Sequence, residues 1–338
     1  MTWRLGGAGG ISIEAGPAGP DTALVRSHWK PIVALLVVTP FLTELLSGSL
    51  PAPAFFRPQV LLFLATVGYG FPVLLLRELA VRRQLGVLGL FVLGLVYGIF
   101  NEGILAKTFY LATNVPISNF DGYGYVWGIA IPWAITISVW HALHSVLYPI
   151  VAIYYFFPNH RESPWLNWQW LAGLAVPTVV VGTLIFFGHQ KDREAGWLDH
   201  FILMVFLSGL FILIAARLPS APALGGGGTF KMPAVFWGGL GFLLLIFVPV
   251  LFAGVKIFPV AFYGYHILFF ALMLNRLGRQ TWLPVTTVLL FALGDDSVMA
   301  LFGFASAVGQ TNVAKLVTNA CFLAGFTWLF ARLRKAAR

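Results

Sequence analysis

Stretches of about 20 apolar residues recur along the chain, separated by short segments that carry most of its charge. Ten are readable, at 31–48, 58–80, 86–108, 126–157, 166–188, 197–216, 233–255, 257–275, 282–305 and 313–331. Each comes near the ~20 residues that cross ~30 Å of hydrocarbon at ~1.5 Å per helical residue. The pattern predicts an all-α, polytopic transmembrane bundle. The fourth segment is too long for one crossing and holds Pro132 and Pro149, so it predicts a kinked helix with an interfacial extension. Lys256 alone parts the seventh and eighth segments, which could equally form one broken unit. Residues 1–29 are rich in Gly, Pro and Ala and lack a helical period, which predicts a mostly disordered cytoplasmic tail. No apolar run with a small-residue cleavage site lies there, so no removable signal peptide is expected. The Gly-rich stretch 217–232 predicts a flexible cytoplasmic linker. It would divide a six-span membrane domain (30–216) from four further spans and a basic tail (233–338), with no five-plus-five repeat visible.

Composition strengthens this picture. Of 338 residues, 59% are hydrophobic and 10% charged, and the mean hydropathy is +0.86. Soluble domains carry about 25% charged residues, so an aqueous enzyme and a disordered scaffold are excluded. The net charge of +9 does not point to nucleic acid, because the basic residues stand singly or in small groups rather than as one patch. With the N-terminus inside, only Arg57, Lys107, Lys191, Arg193, Lys256 and Lys315 of the 21 basic residues fall outside. That bias predicts an N-in/C-in, multi-pass protein of the cell membrane, with the lipid bilayer as its first partner. The lone Cys321 excludes an internal disulfide and any CxxC site and predicts a packed, inert thiol.

Ionisable groups inside spans are costly, which makes each a candidate for function. The first half holds Glu44, the Arg77–Glu78 pair, Asn101, Glu102, Lys107, His141 and His144, whereas the second holds only His266 and Asp295–Asp296. At ~100° per residue, Ser138, His141, His144, Ser145 and Tyr148 fall within one ~120° sector of the fourth segment. Such a stripe must face the bundle interior or a wet cavity. It reads equally as a hydrogen-bonded seam and as a site. Glu102 lies deep in the third segment, and a His of the fourth is its expected partner. Lys107, five residues on, is about 140° around the helix from it. Arg77–Glu78 reads as an interfacial anchor and His266 as a satisfied core residue. Asp295–Asp296 could bind a cation, relay protons, or cap a broken helix. The loop LATNVPISNFDGYGYV between the third and fourth segments would lie outside, as a plug or lid. No Walker A, dinucleotide fingerprint, HExxH or GxSxG is evident.

Asn101–Glu102 followed by Lys107, then Trp140-xxx-His144 on the next helix, resembles the CAAX prenyl protease and bacteriocin-processing superfamily. Its members carry EExxxR on one helix, FxxxH on the next and HxxxN or HxxxD later. Here Asn101 replaces the first Glu and Lys107 stands one position later than the Arg. No third motif follows: His189 leads to Arg193, His200 to Met204 and His266 to Phe270. The resemblance covers roughly residues 86–157. It implies hydrolysis of a peptide bond at the membrane, with Glu102 as general base and His144 polarising the carbonyl. His141 would stand in for the missing later His. In a metal-dependent version, His141, His144 and Glu102 would hold Zn2+. The binding set would be Lys107, Ser145, Tyr148, Asp295 and Asp296, and the substrate a membrane-embedded peptide or small molecule.

The rival readings are a proton- or cation-coupled carrier and a non-catalytic membrane subunit. A protease expects Glu102, His141 and His144 to converge with the aspartates elsewhere. A carrier expects both clusters around one midplane cavity.

Overall fold

The structure, a computed structural model, describes residues 20–188, 198–218, 232–277 and 284–336. Most of the expected tail and linker lie outside these residues. Besides single turns such as Ala52–Phe55, ten long helical segments run through the described chain. They are α1 (Pro20–Pro40), α2 (Pro58–Arg82), α3 (Val87–Leu105), α4 (Ile131–Phe156) and α5 (Trp168–Gly188), then α6 (Leu198–Arg217), α7 (Met232–Gly254), α8 (Pro259–Leu277), α9 (Val285–Gly309) and α10 (Val313–Ala336). Each overlaps one of the ten apolar runs. Eight are long and apolar enough to cross a membrane; α8 offers a shorter apolar stretch, Pro259–Leu272, and α1 is not among the eight. The chain is an all-α, polytopic membrane protein.

The boundaries depart from expectation in instructive ways. Helix α1 reaches back to Pro20, so residues 20–29 are helical rather than a disordered tail. The overlong fourth segment resolves into a two-residue hairpin, β1 (Tyr125–Val126) against β2 (Ile129–Ala130), followed by α4. Pro132 sits in the first turn of α4, where its missing N–H costs nothing. Lys256 adopts φ 55 between α7 and α8, which are two helices rather than one broken unit. They pack on each other, with the Tyr265 hydroxyl donating to Leu245 O at 2.5 Å. Cys321 is exposed rather than packed.

Helices α3 and α4 lie at the centre, mostly buried, while α10 is exposed along nearly its whole length. Two glycines one turn apart explain the central seam. A Cβ on Gly94 would lie 2.5 Å from the Ala142 Cα, and one on Gly98 would lie 2.6 Å from the Ser138 Cα. Small residues at this spacing let backbones approach closely in a bilayer, where packing replaces the hydrophobic drive between helices. The seam therefore fixes the height of Glu102 against His141.

Four helices contain a widened, π-helical turn: Phe41–Leu45 after α1, Leu64–Gly68 in α2, Ile99–Leu105 in α3 and Ala142–Leu147 in α4. Each is closed by an N–H that reaches five residues back: Leu46 to Phe41 and Tyr69 to Leu64 at 3.0 Å, Ala106 to Asn101 at 2.7 Å, and Tyr148 to Leu143. The four turns carry or adjoin Glu44, Tyr69, Asn101–Glu102 and His144–Ser145. Widened turns of this kind are frequent at functional sites, where they re-aim side chains that a regular helix would point elsewhere.

The loop from 106 to 130 folds over the same end of the bundle as α7 and α8. Phe120 and Tyr123 pack with Trp133, Ala253 and Phe262. The Lys256 ammonium donates to Asp121 O at 3.1 Å, and Asn119 Nδ2 donates to Val250 O at 3.3 Å. It is a packed cover rather than an open loop.

Candidate functional site

Glu102 and His141 meet across the α3–α4 seam, with Oε1 2.8 Å from Nε2. Both side chains are buried. The second carboxylate oxygen of Glu102 accepts from the Thr108 hydroxyl, which itself accepts from Trp133 Nε1–H at 2.9 Å. On the far side of the ring, His141 Nδ1 lies 2.8 Å from Ser145 Oγ. The Thr43 hydroxyl lies 3.2 Å from that same oxygen and donates to Thr39 O at 2.9 Å. Glu102 thus has a partner on each carboxylate oxygen, His141 on Oε1 and Thr108 on Oε2.

Around this pair stands a second layer. The Tyr69 hydroxyl donates to Glu44, and Glu44 is within electrostatic reach of His141 and Glu102. Asn101 Nδ2 donates to the Tyr97 hydroxyl at 2.8 Å, which donates to Gly68 O at 2.7 Å. The rings of Tyr69 and Tyr97 lie 6.2 and 5.4 Å from that of His141. Sequence reasoning missed Thr43, Tyr69, Tyr97, Thr108 and Trp133. Each is a polar-tipped or hydroxyl residue, a type too common in membrane helices to stand out without its partner.

His144 does not join this centre. Its ring stacks on Trp140 at 3.6 Å, and its Nδ1 bonds Trp140 O at 3.2 Å. Its Nε2 faces α9, 3.5 Å from Asp296 Oδ1 and 3.7 Å from Asp295 Oδ2. The Tyr148 hydroxyl donates to Asp295. The polar stripe of α4 therefore splits along its length. Its edge with His141 and Ser145 faces α3 and the turn after α1, and its edge with His144 and Tyr148 faces α9. Among the described residues, no group of three His, Cys, Asp or Glu side chains could hold a metal ion. The expected His141–His144–Glu102 zinc site is thereby corrected: His144 points to the aspartates, and the remaining donors do not fit a metal.

Lys107 ends α3 at φ 58 and is buried, donating to Phe186 O with its ammonium 4.8 Å from the Phe186 ring centroid. It fastens α5 to the site helix. Arg77 and Glu78, expected as an interfacial anchor, are fully buried and 2.5 Å apart. Arg77 also donates to His160 O and Arg161 O and stacks 3.7 Å from Trp165, while Glu78 accepts from the Trp165 and Leu166 amides. They clamp the α4–α5 loop. His266 bonds Phe262 O at 2.9 Å, a satisfied core residue.

An apolar cavity of about 800 Å³ runs between α3, α4 and α6, from Trp127 and Phe109 at the hairpin end to Leu88 and Leu218 at the other. It reaches Ile99 and Ser138, each one turn from a member of the Glu102–His141 pair. A polar cleft of about 290 Å³, with Asn312, Lys315 and Asn319 in its wall, lies between the α1–α2 loop and α10. Neither is lined by the aspartates.

No curated protein and no solved structure matches the chain. A family model does match, over residues 33–256, about two thirds of the chain and all of the Glu102–His141 centre. This integral membrane protein therefore belongs to an uncharacterised membrane protein family.

Proposed function

We propose that the protein is an intramembrane hydrolase of the glutamate–histidine kind, as its resemblance to the CAAX protease superfamily implies. The observation that carries this reading is the 2.8 Å contact between Glu102 Oε1 and His141 Nε2, on two π-helical turns and one turn from the apolar cavity. Glu102 takes a proton from water as the water oxygen bonds to an amide carbon. The proton passes to the leaving nitrogen as the C–N bond breaks, giving an acid and an amine. His141 orients the carboxylate and meets the negative charge that develops on the carbonyl oxygen, the role the resemblance gives to His144. No metal enters, because the donors present do not fit one. The cavity suits an apolar chain attached to the scissile group, since sites of 300–1,000 Å³ with few polar groups hold ligands of that size.

The test uses the full chain in detergent micelles with internally quenched peptides, one ending in a prenylated cysteine and one without lipid. Cleavage of the prenylated peptide that falls by about 10²–10⁴-fold in Glu102→Gln is expected, the usual range for a general base. Equal turnover by wild type and variant, or none with either peptide, would overturn the reading.

A further inference from the structure

The contacts between α4 and α9 leave a deficit of hydrogens. Trp140 O can only accept, so the Nδ1 of His144 carries a proton. A neutral His144 then turns a bare lone pair toward Asp296 Oδ1 at 3.5 Å and Asp295 Oδ2 at 3.7 Å. The one donor nearby, the Tyr148 hydroxyl, is spent on Asp295 Oδ2. His144 Nε2, Asp295 Oδ1 and Asp296 Oδ1 are left buried with no partner among the described residues. The exposures of His144, Asp295 and Asp296 are 0%, 0% and 3%. Among the described residues, no neighbouring element supplies a counter-charge. Helix α7, which packs along α9, has no ionisable residue in its span. On α10, Lys315 is occupied by Ser306, and Arg332 lies over Tyr155. His141, one turn along α4, is bonded to Glu102.

From this bookkeeping we propose that His144, Asp295 and Asp296 form a proton-binding site, separate from the Glu102–His141 centre, that holds a proton on the aspartyl pair at neutral pH. One proton converts three opposed acceptors into an O–H···N or O–H···O bond. Placed on a carboxyl, it leaves one buried charge; placed on the imidazole, it leaves three, each with its own desolvation cost. The site ties α9 to the π-helical turn of α4, where Ser145 follows His144 and holds His141. Loss of the proton sets like acceptors against one another at that turn. The proposal stands on hydrogen-bond geometry alone and is independent of the hydrolase reading.

Infrared spectroscopy of the full chain in phosphatidylcholine vesicles decides it. The chain has six aspartates and six glutamates, so carboxyl-13C labelling of one type at a time separates this pair from Glu44 and Glu102. The expected result is a protonated-carboxyl band at pH 7 that shifts with labelled aspartate and is lost in Asp296→Asn or Asp295→Asn. If both variants fail to fold, the labelled wild-type spectrum still decides. Absence of an aspartate-dependent acid band at pH 7 overturns the proposal. Disappearance of the band on adding sodium or potassium chloride also overturns it, in favour of a cation site.

Discussion

His141 and His144 are one turn apart on the same helix, yet one meets a glutamate of α3 and the other an aspartate pair of α9. What separates them is the direction of each ring, set by what it bonds on its second nitrogen: Ser145 for His141, the Trp140 carbonyl for His144. Ser145→Ala removes the bond that orients His141. A single neutral hydrogen bond contributes about 0.5–1.5 kcal/mol, so under the proposed hydrolase reading turnover should fall up to about tenfold with little change in thermal stability. A turnover unchanged within twofold would mean that Ser145 does not orient the ring. Arg77 gives a contrasting prediction. Arg77→Ala leaves the buried Glu78 only the half-buried Arg82, 3.7 Å from its other oxygen, and should cost up to about 3–5 kcal/mol of stability, read as a lower unfolding midpoint in detergent. The sequence singled out Glu102, His141 and the aspartates as costly groups in hydrocarbon, and the fold buries all of them. It could not assign partners, because a ~120° polar sector is wide enough to face two neighbouring helices, as this one does.

At the scale of elements, the α3–α4 seam and the π-helical turns carry the site. Gly98→Val places branched carbon where the Ser138 backbone already lies, at 2.6 Å from a Cβ, so the helices must separate and the folded yield should collapse. Gly173→Ala in α5 is the control: nothing stands within 4 Å of its Cβ, and a stabilisation of about 0.5–1 kcal/mol is expected from helix propensity alone. Equal thermal midpoints for the two variants would remove the seam argument. The Gly94-xxx-Gly98 spacing was present in the sequence, though nothing there marked it as a contact face. The π-helical turns were not legible there, since a five-residue closure depends on which neighbour draws the side chain aside. The hairpin at 125–130 was hidden for a related reason, its residues being as apolar as the span they precede.

At the scale of the molecule, the basic residues predict N-in/C-in topology, and the cover over residues 106–130 gives a direct way to check it. In a Cys321→Ser background, Trp127→Cys at the hairpin tip should react with a membrane-impermeant thiol reagent added outside intact cells. Arg83→Cys, in the α2–α3 turn, should react only after the membrane is opened. The reverse pattern would invert the topology. Both positions are exposed in the fold, so failure to label would report sidedness rather than burial.

The sequence by itself determined that this is an all-α membrane protein, where its helices run, and which side chains are too costly in hydrocarbon to be incidental. These follow from transfer free energy and chain geometry, which are summed residue by residue and need no partner. Only the tertiary structure decided that Glu102 pairs with His141, that His144 belongs to Asp295 and Asp296, and that Arg77–Glu78 clamps a loop. Those outcomes depend on hydrogen-bond direction and on a backbone approach permitted by Gly94 and Gly98, and a partner's direction is a property of the assembled bundle rather than of any one helix.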